Sequence, residues 1–415
     1  MSRLWEKPGG TPLDERVLRY TAGEDHRLDA RLVPYDVRAS IAHAEMLGEA
    51  GLLPAADVAA IRDGLAALAA AHAAGDWQIE LGDEDVHTAL ERRLTAAIGE
   101  AGARLHLGRS RNDQVLAALR LYLRDEVTAL AQGARAVAAA LDELAAREAA
   151  TPLTGYTHHQ PAMPSSVPLW AGGFAAELRD DALGLGACLR RIDQNPLGSA
   201  AGYGVPLLPI DRESTRRRLG FAAVHEPVTA VQLSRGKAEA ELLFEITLLM
   251  QDLGRFAADV VLFEIALTLQ DLGRLAADLV LWNSSELGFV SLPEAMTTGS
   301  SIMPQKRNPD VFELVRGRSA TAQACLLEAL AITAKLPSGY HRDLQLLKAP
   351  LFRGLDLARD TLEIMTAALA GVRFRADRIH LAPELGATEE AYRLVLEQGL
   401  SFREAYRRVA ARYRE

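Results

Sequence analysis

The sequence predicts an all-α protein of three helical domains, with a bundle of long helices at its centre. Three observations carry that prediction. Apolar residues fill 49% of the 415 positions while aromatics fill only 6%, and alanine and leucine dominate. That mix favours helix packed on helix over sheet, which draws on β-branched and aromatic residues. Apolar positions recur at threes and fours over stretches much longer than an ordinary helix, as bundles require. The glycine- and proline-rich polar segments fall between those stretches.

In chain order, residues 1–105 read as a small N-terminal helical domain. Within DVAAIRDGLAALAAAHAAG (57–75), Val58, Ile61, Leu65 and Leu68 share one helix face, and Asp57 is placed to cap it. The central domain, 106–349, opens on a helix of about 35 residues, or about 50 Å. Its stripe is Leu116, Leu119, Leu123, Val127, Leu130, Val137, Leu141 and Leu144. Further long apolar runs cover about 236–284 and 311–336, and TGYTHHQPAMPSS (154–166) and NPLGSAAGYGVPLLPIDRE (195–213) read as loops. Residues 350–415 form a smaller, charged C-terminal helical domain.

One feature is unusual. LFEITLLMQDLGRFAADVV (243–261) is followed at once by LFEIALTLQDLGRLAADLV (262–280), identical at 14 of 19 positions. At 100° and 1.5 Å per residue, 19 steps turn a helix face by about 100° and carry it about 28 Å. A tandem copy of this length therefore does not continue the same stripe.

The formal charge of −9 argues against a general nucleic-acid binder, which needs a net basic face. Cys188 and Cys325 are the only cysteines, each in a helical context without metal-ligand spacing. Buried free thiols and a cytoplasmic location are the expectation. MSRLWEKPGG lacks the apolar core of a signal peptide, and charged residues interrupt every long apolar run. No membrane partner is expected. The GSAAGYG stretch (198–204) is a weak phosphate-loop signal, because no predicted strand precedes it.

Four segments carry more polar and conformationally special residues than folding a bundle needs. They are HLGRSRNDQ (106–114), GYTHHQP (155–161), GSSIMPQKRNPD (299–310) and SGYHRDLQLLK (338–348). Each lies near a predicted helix end, where unpaired N–H groups and partial positive charge suit carboxylates. Arg111, Lys306 and Arg342 add cations, and Ser110, Asn112, Asn308, Tyr340 and Gln345 add directional hydrogen bonds. His158 or His159 titrates near neutrality, and Ser300 or Ser301 supplies a hydroxyl beside Lys306. Together they describe a cradle for a polycarboxylated ligand with an acid and a base for elimination. Singly, a loop histidine, a surface cation or a Ser-Ser helix cap is ordinary; the functional reading rests on the four together.

GSSIMPQKRNPD resembles the GSSxMPxKxNP motif of the fumarase/aspartase superfamily. Within it, MPQK, GRSRNDQ, GYTHHQ and GYHRDLQ resemble the argininosuccinate lyase family. The likeness extends from LWEKPGG through EDVHTALERRL (84–94) to SFREAYRRVA (401–410), nearly the whole chain. The resemblance implies a homotetramer with active sites shared between subunits, and cofactor-free, metal-free cleavage of argininosuccinate to arginine and fumarate. It implies Ser300 as base, His158 oriented by Glu313 on the acid side, and Lys306 and Asn308 at the carboxylate that gains charge. Ser110, Arg111, Asn112, His87, Thr157, Tyr340, Arg342, Gln345 and Lys348 would bind the rest of the substrate. The family pattern differs at TAVQLSRGKAEAE (229–241), where it normally reads DAVSDRDF, so an N-acetylated argininosuccinate is an alternative substrate. The family also has room for one copy of the repeat, so a catalytically impaired homologue is another alternative.

Overall fold

The computed structural model describes residues 15–157, 160–259, 290–293, 295, 297, 309–334, 342–378 and 386–413. The described chain is helical almost throughout, as composition and periodicity predict. Three two-stranded sheets interrupt it. No helix among the described residues is long and apolar enough to cross a membrane. The chain divides into two compact units, each assembled from three separate stretches.

The first unit takes residues 1–129, 185–244 and 323–356. Its helices Val33–Glu49 and Ala55–Ala74 show how the sequence sets element ends. The second helix stops at Gly75, whose φ of +84° lets its N–H turn back to His72 O at 3.0 Å. It starts at Ala55, with Pro54 in extended backbone at the N-cap position, so Asp57 stands inside the first turn rather than at the cap. Asp57 instead pairs with Arg104 at 2.6 Å, so the expected cap is a tertiary ion pair. Ile61 and Leu65 of its predicted stripe are fully buried. A further cluster packs Ala39 and Ala42 against Ala117, Leu121, Leu197, Leu219 and Phe221.

The second unit takes 130–184, 245–322 and 357–415. The predicted loop at 154–166 is instead a hairpin, Pro152–Thr157 against Gln160–Ser166, with its register shifted between Gly155 and Tyr156. Thr154, Tyr156 and Thr157 favour strand, and in a two-stranded ribbon both strands are edges, which tolerates Pro161 and Pro164. The C-terminal helices Ala387–Gln398 and Phe402–Ala410 close on Ala391, Ala405 and Val409.

The longest helix among the described residues, Arg111–Arg147, has 37 residues, of which 111–129 fall in the first unit and 130–147 in the second. Every residue of its predicted stripe, from Leu116 to Leu144, is 3% exposed or less. Lys237–Asp259 and Asp310–Thr333 are the described helices of the other long runs, and Lys348–Gly371 is a further helix of 24 residues that the apolar runs did not single out. Cys188 and Cys325 are buried free thiols.

Candidate active site

The site grows from the start of the helix Val86–Ile98. Asp85 caps it, accepting Thr88 N–H at 2.9 Å, and also accepts from Arg111. The preceding residue, Glu84, holds φ at +67°, a conformation L side chains rarely adopt. That turn places its buried carboxylate 3.6 Å from Arg111 and 3.9 Å from Arg342. Asp85 is held at about 2: burial opposes ionisation, but His87, Arg111 and the Thr88 amide outweigh it.

Two residues after Asp85, His87 is 3% exposed, and its Nδ1 bonds the carboxylate of Asp36, which is 0% exposed. Asp36 also accepts from Ser40 Oγ at 2.9 Å and from Gln114 Nε2 at 3.0 Å. Arg109 donates to Ser40 Oγ at 2.8 Å.

The opposite wall comes from far along the chain. Lys348, 3% exposed, reaches Asp25 at 2.8 Å and Asp29 at 2.6 Å. Burial alone would lower its pKa, yet the paired carboxylates raise it, so it is an ammonium at neutral pH. Burial pushes Asp25 up to about 6 despite Lys348. Arg342 donates to Thr21 O at 2.8 Å and Gln345 to the same oxygen at 3.1 Å.

These groups enclose a cavity of about 170 Å³ lined by Asp25, Asp85, His87, Arg111, Asn112, Val115, Arg235, Arg342, Gln345 and Lys348. Six residues singled out from sequence thus line one cavity: His87, Arg111, Asn112, Arg342, Gln345 and Lys348. Ser110 stands at the start of the long helix, where its Oγ accepts Asn112 N–H at 3.3 Å. Glu313 lies exposed on the helix Asp310–Thr333, in the part of it that falls in the second unit. His158, Ser300, Lys306, Asn308 and Tyr340 lie outside the described residues, as does the side chain of Thr157.

Sequence reasoning missed the acids Asp25, Asp29, Asp36 and Asp85, and lining residue Arg235. Asp85 was findable, since an aspartate directly before an apolar-periodic segment is an N-cap signature. Nothing local marks the others. The GSAAGYG loop has a use of its own. A two-residue strand, Gln194–Asn195, does precede it, yet its Gly198 and Ala200 amides donate to Asp113 at 2.9 and 2.8 Å. Gly198 sits at φ +83° with the Arg212 side chain 2.7 Å from where a Cβ would be. This nest holds the chain's own carboxylate.

A family model described as "Lyase" matches residues 14–266 and 261–324. Curated relatives include an argininosuccinate lyase of Sorangium cellulosum, 48% identical over 99% of this chain and 90% of the relative. Another, from Thermotoga neapolitana, is 38% identical over 99% of this chain and 98% of the relative. Among solved structures, a class II fumarase from Schistosoma mansoni superposes with a TM-score of 0.77 at 17% identity, covering 98% of this chain and 91% of that one. An EDDS lyase in complex with formate gives 0.76 at 24%, covering 96% and 76%. The helical fold and the family match together define a carbon–nitrogen lyase of the fumarase/aspartase superfamily. Within that superfamily, the chain belongs to the argininosuccinate lyase family.

Proposed function

We propose that the chain cleaves argininosuccinate to arginine and fumarate without a cofactor. The observation that carries this reading is the convergence of His87, Arg111, Asn112, Arg342, Gln345 and Lys348 on one cavity, in a chain of that family. The cavity wall bears both signs of charge, which suits a ligand with several carboxylates, an amine and a guanidino group.

In this reading Ser300 takes the proton from the carbon next to a succinyl carboxylate. The electron pair moves into that carboxylate, where Lys306 and Asn308 stabilise the added charge. The pair then forms the fumarate double bond as the bond to nitrogen breaks. His158, oriented by Glu313, returns a proton to the departing guanidino nitrogen directly or through water. Ser110, Thr157, Tyr340 and the cavity residues hold the rest of the substrate. The same reading gives a cytoplasmic homotetramer serving arginine biosynthesis. In it, the 106–349 bundle lies between helical domains at 1–105 and 350–415, and neighbouring chains complete each site.

Fumarate absorbs in the ultraviolet, so purified full-length chain can be assayed continuously with argininosuccinate, its N-acetylated form and adenylosuccinate. Turnover of argininosuccinate is expected. Turnover of the acetylated compound alone transfers the assignment to it, and turnover of none marks an impaired homologue. Ser300→Ala should abolish turnover with unchanged circular dichroism; an active Ser300→Ala variant refutes the assigned base.

A further inference from the structure

We propose that Asp36 is a positioning residue for this reaction: it fixes His87 so that the ring presents Nε2–H to a ligand carboxylate as a charged donor. The proposal rests on the reading above for its ligand, but not for its geometry. Asp36 is on the helix Val33–Glu49 and has no exposed surface. His87 comes from the helix Val86–Ile98, Gln114 from the long helix, and Arg109 from the segment before it. Three donors on its two oxygens, Ser40 and Gln114 on Oδ1 and His87 on Oδ2, hold the Asp36 carboxylate against rotation, and that carboxylate in turn sets the plane and the Nδ1–H of the His87 ring.

The other edge of the ring is different. Nε2 is buried and has no hydrogen-bond partner among the described residues, while the ring lines the cavity. A buried polar group is ordinarily paired, and one left open beside a cavity is completed by whatever fills that cavity. The partner's chemistry depends on the charge of the ring. Burial disfavours the imidazolium, but Asp36, then Asp85 and Asp29, favour it more strongly, so His87 is held above the usual histidine range. Glu91, from its own helix, adds to that field. Arg109, Arg111 and His106, from the 104–111 segment, face the same cluster and work against it. The charged ring is a donor at both nitrogens, so Nε2–H faces an acceptor, and a carboxylate is the acceptor that matches its charge.

An Asp36 that mattered only for folding would change stability and nothing else. The positioning role moves a pH profile. In the wild type, KM for argininosuccinate should stay flat between pH 7 and 8, above the range in which Asp25 titrates. In Asp36→Asn the ring keeps an acceptor but loses its countercharge, so it deprotonates within this range or below it. KM should then be raised, on the order of tenfold at pH 8 relative to wild type, with a smaller change in kcat. The dissociation constant of fumarate, measured by calorimetry, should follow KM and needs no turnover. Histidine ¹⁵N NMR of the wild-type full chain, with the His87 signals assigned by their loss in His87→Asn, should show both ring nitrogens protonated at pH 7. That measurement stands even where Asp36→Asn fails to fold. A neutral His87 at pH 7, or an Asp36→Asn variant with unchanged KM and fumarate affinity, overturns the proposal. Absence of argininosuccinate turnover in the wild type overturns the functional reading instead, and leaves the NMR result to decide this one.

Discussion

Lys348 shows how the cavity is held together by single residues. Its ammonium sits between two carboxylates, Asp25 at 2.8 Å and Asp29 at 2.6 Å, and it is only 3% exposed. Breaking a buried pair by removing one partner leaves an uncompensated charge and typically costs about 3–5 kcal/mol. Lys348→Met should therefore lower the denaturant midpoint by a corresponding amount at pH 7. The linkage sign agrees: a lysine whose folded pKa is raised contributes its stability below its ordinary value, and loses it only as pH climbs past the folded one. A midpoint within error of wild type would mean that the pair is energetically neutral. The six cavity residues were legible because they stand in dense polar motifs. Asp29 was not, because the residue that explains it lies 319 positions away. Asp36 was hidden in the same way, since a lone acid on an apolar helix face reads as an ordinary surface position until its neighbours are known.

At the level of elements, the long helix was legible because its period is simple and its buried stripe is continuous. Leu141 is fully buried there, so Leu141→Ala should cost about 2–5 kcal/mol, a transfer loss plus the cavity left behind. Calorimetry or denaturant titration checks the value. Element type failed at 154–166, where proline and glycine counts outweighed the strand preference of Thr154, Tyr156 and Thr157. Charge placement between helices was also invisible. Asp181, on the helix Val167–Ala187, is pushed up to about 8 by burial and then by Asp252, Glu245, Asp180 and Glu177. An unfolded chain releases that proton near pH 4, whereas the folded chain keeps it to about 8. Between those values the folded state binds more protons, so this group lowers stability steadily as pH rises. Asp181→Asn should raise the melting temperature at pH 8 and change it little at pH 4.5. An equal shift at both pH values would show that Asp181 does not titrate as described.

Across the whole chain, the duplicated helix segment is the feature that family membership leaves unexplained. The two stretches matched by the family model, 14–266 and 261–324, overlap where the copies join. Residues 243–259 of the first copy lie within the helix Lys237–Asp259, where Leu243, Ile246, Leu249, Met250 and Leu253 are fully buried. The second copy lies outside the described residues, so its sequence has to be compared with that slot. At the corresponding positions it carries Leu262, Ile265, Thr268, Leu269 and Leu272. Four are apolar, but Thr268 stands where the first copy buries Leu249. Burying a hydroxyl without a hydrogen bond costs about 1–3 kcal/mol, so the first copy fits the slot better. Because the copies are tandem and agree at 14 of 19 positions, removing either leaves a chain of the same length with almost the same sequence. Deleting 262–280 or deleting 243–261 should each preserve lyase activity if one copy fills the slot and the other is surplus. The chain that keeps the first copy should be the more stable by about 1–3 kcal/mol, the Thr268 penalty. Restoring leucine at 268 in the other deletion should recover most of that difference. Loss of activity in both folded deletion variants, with an active parent, would show instead that the added length is part of the working protein.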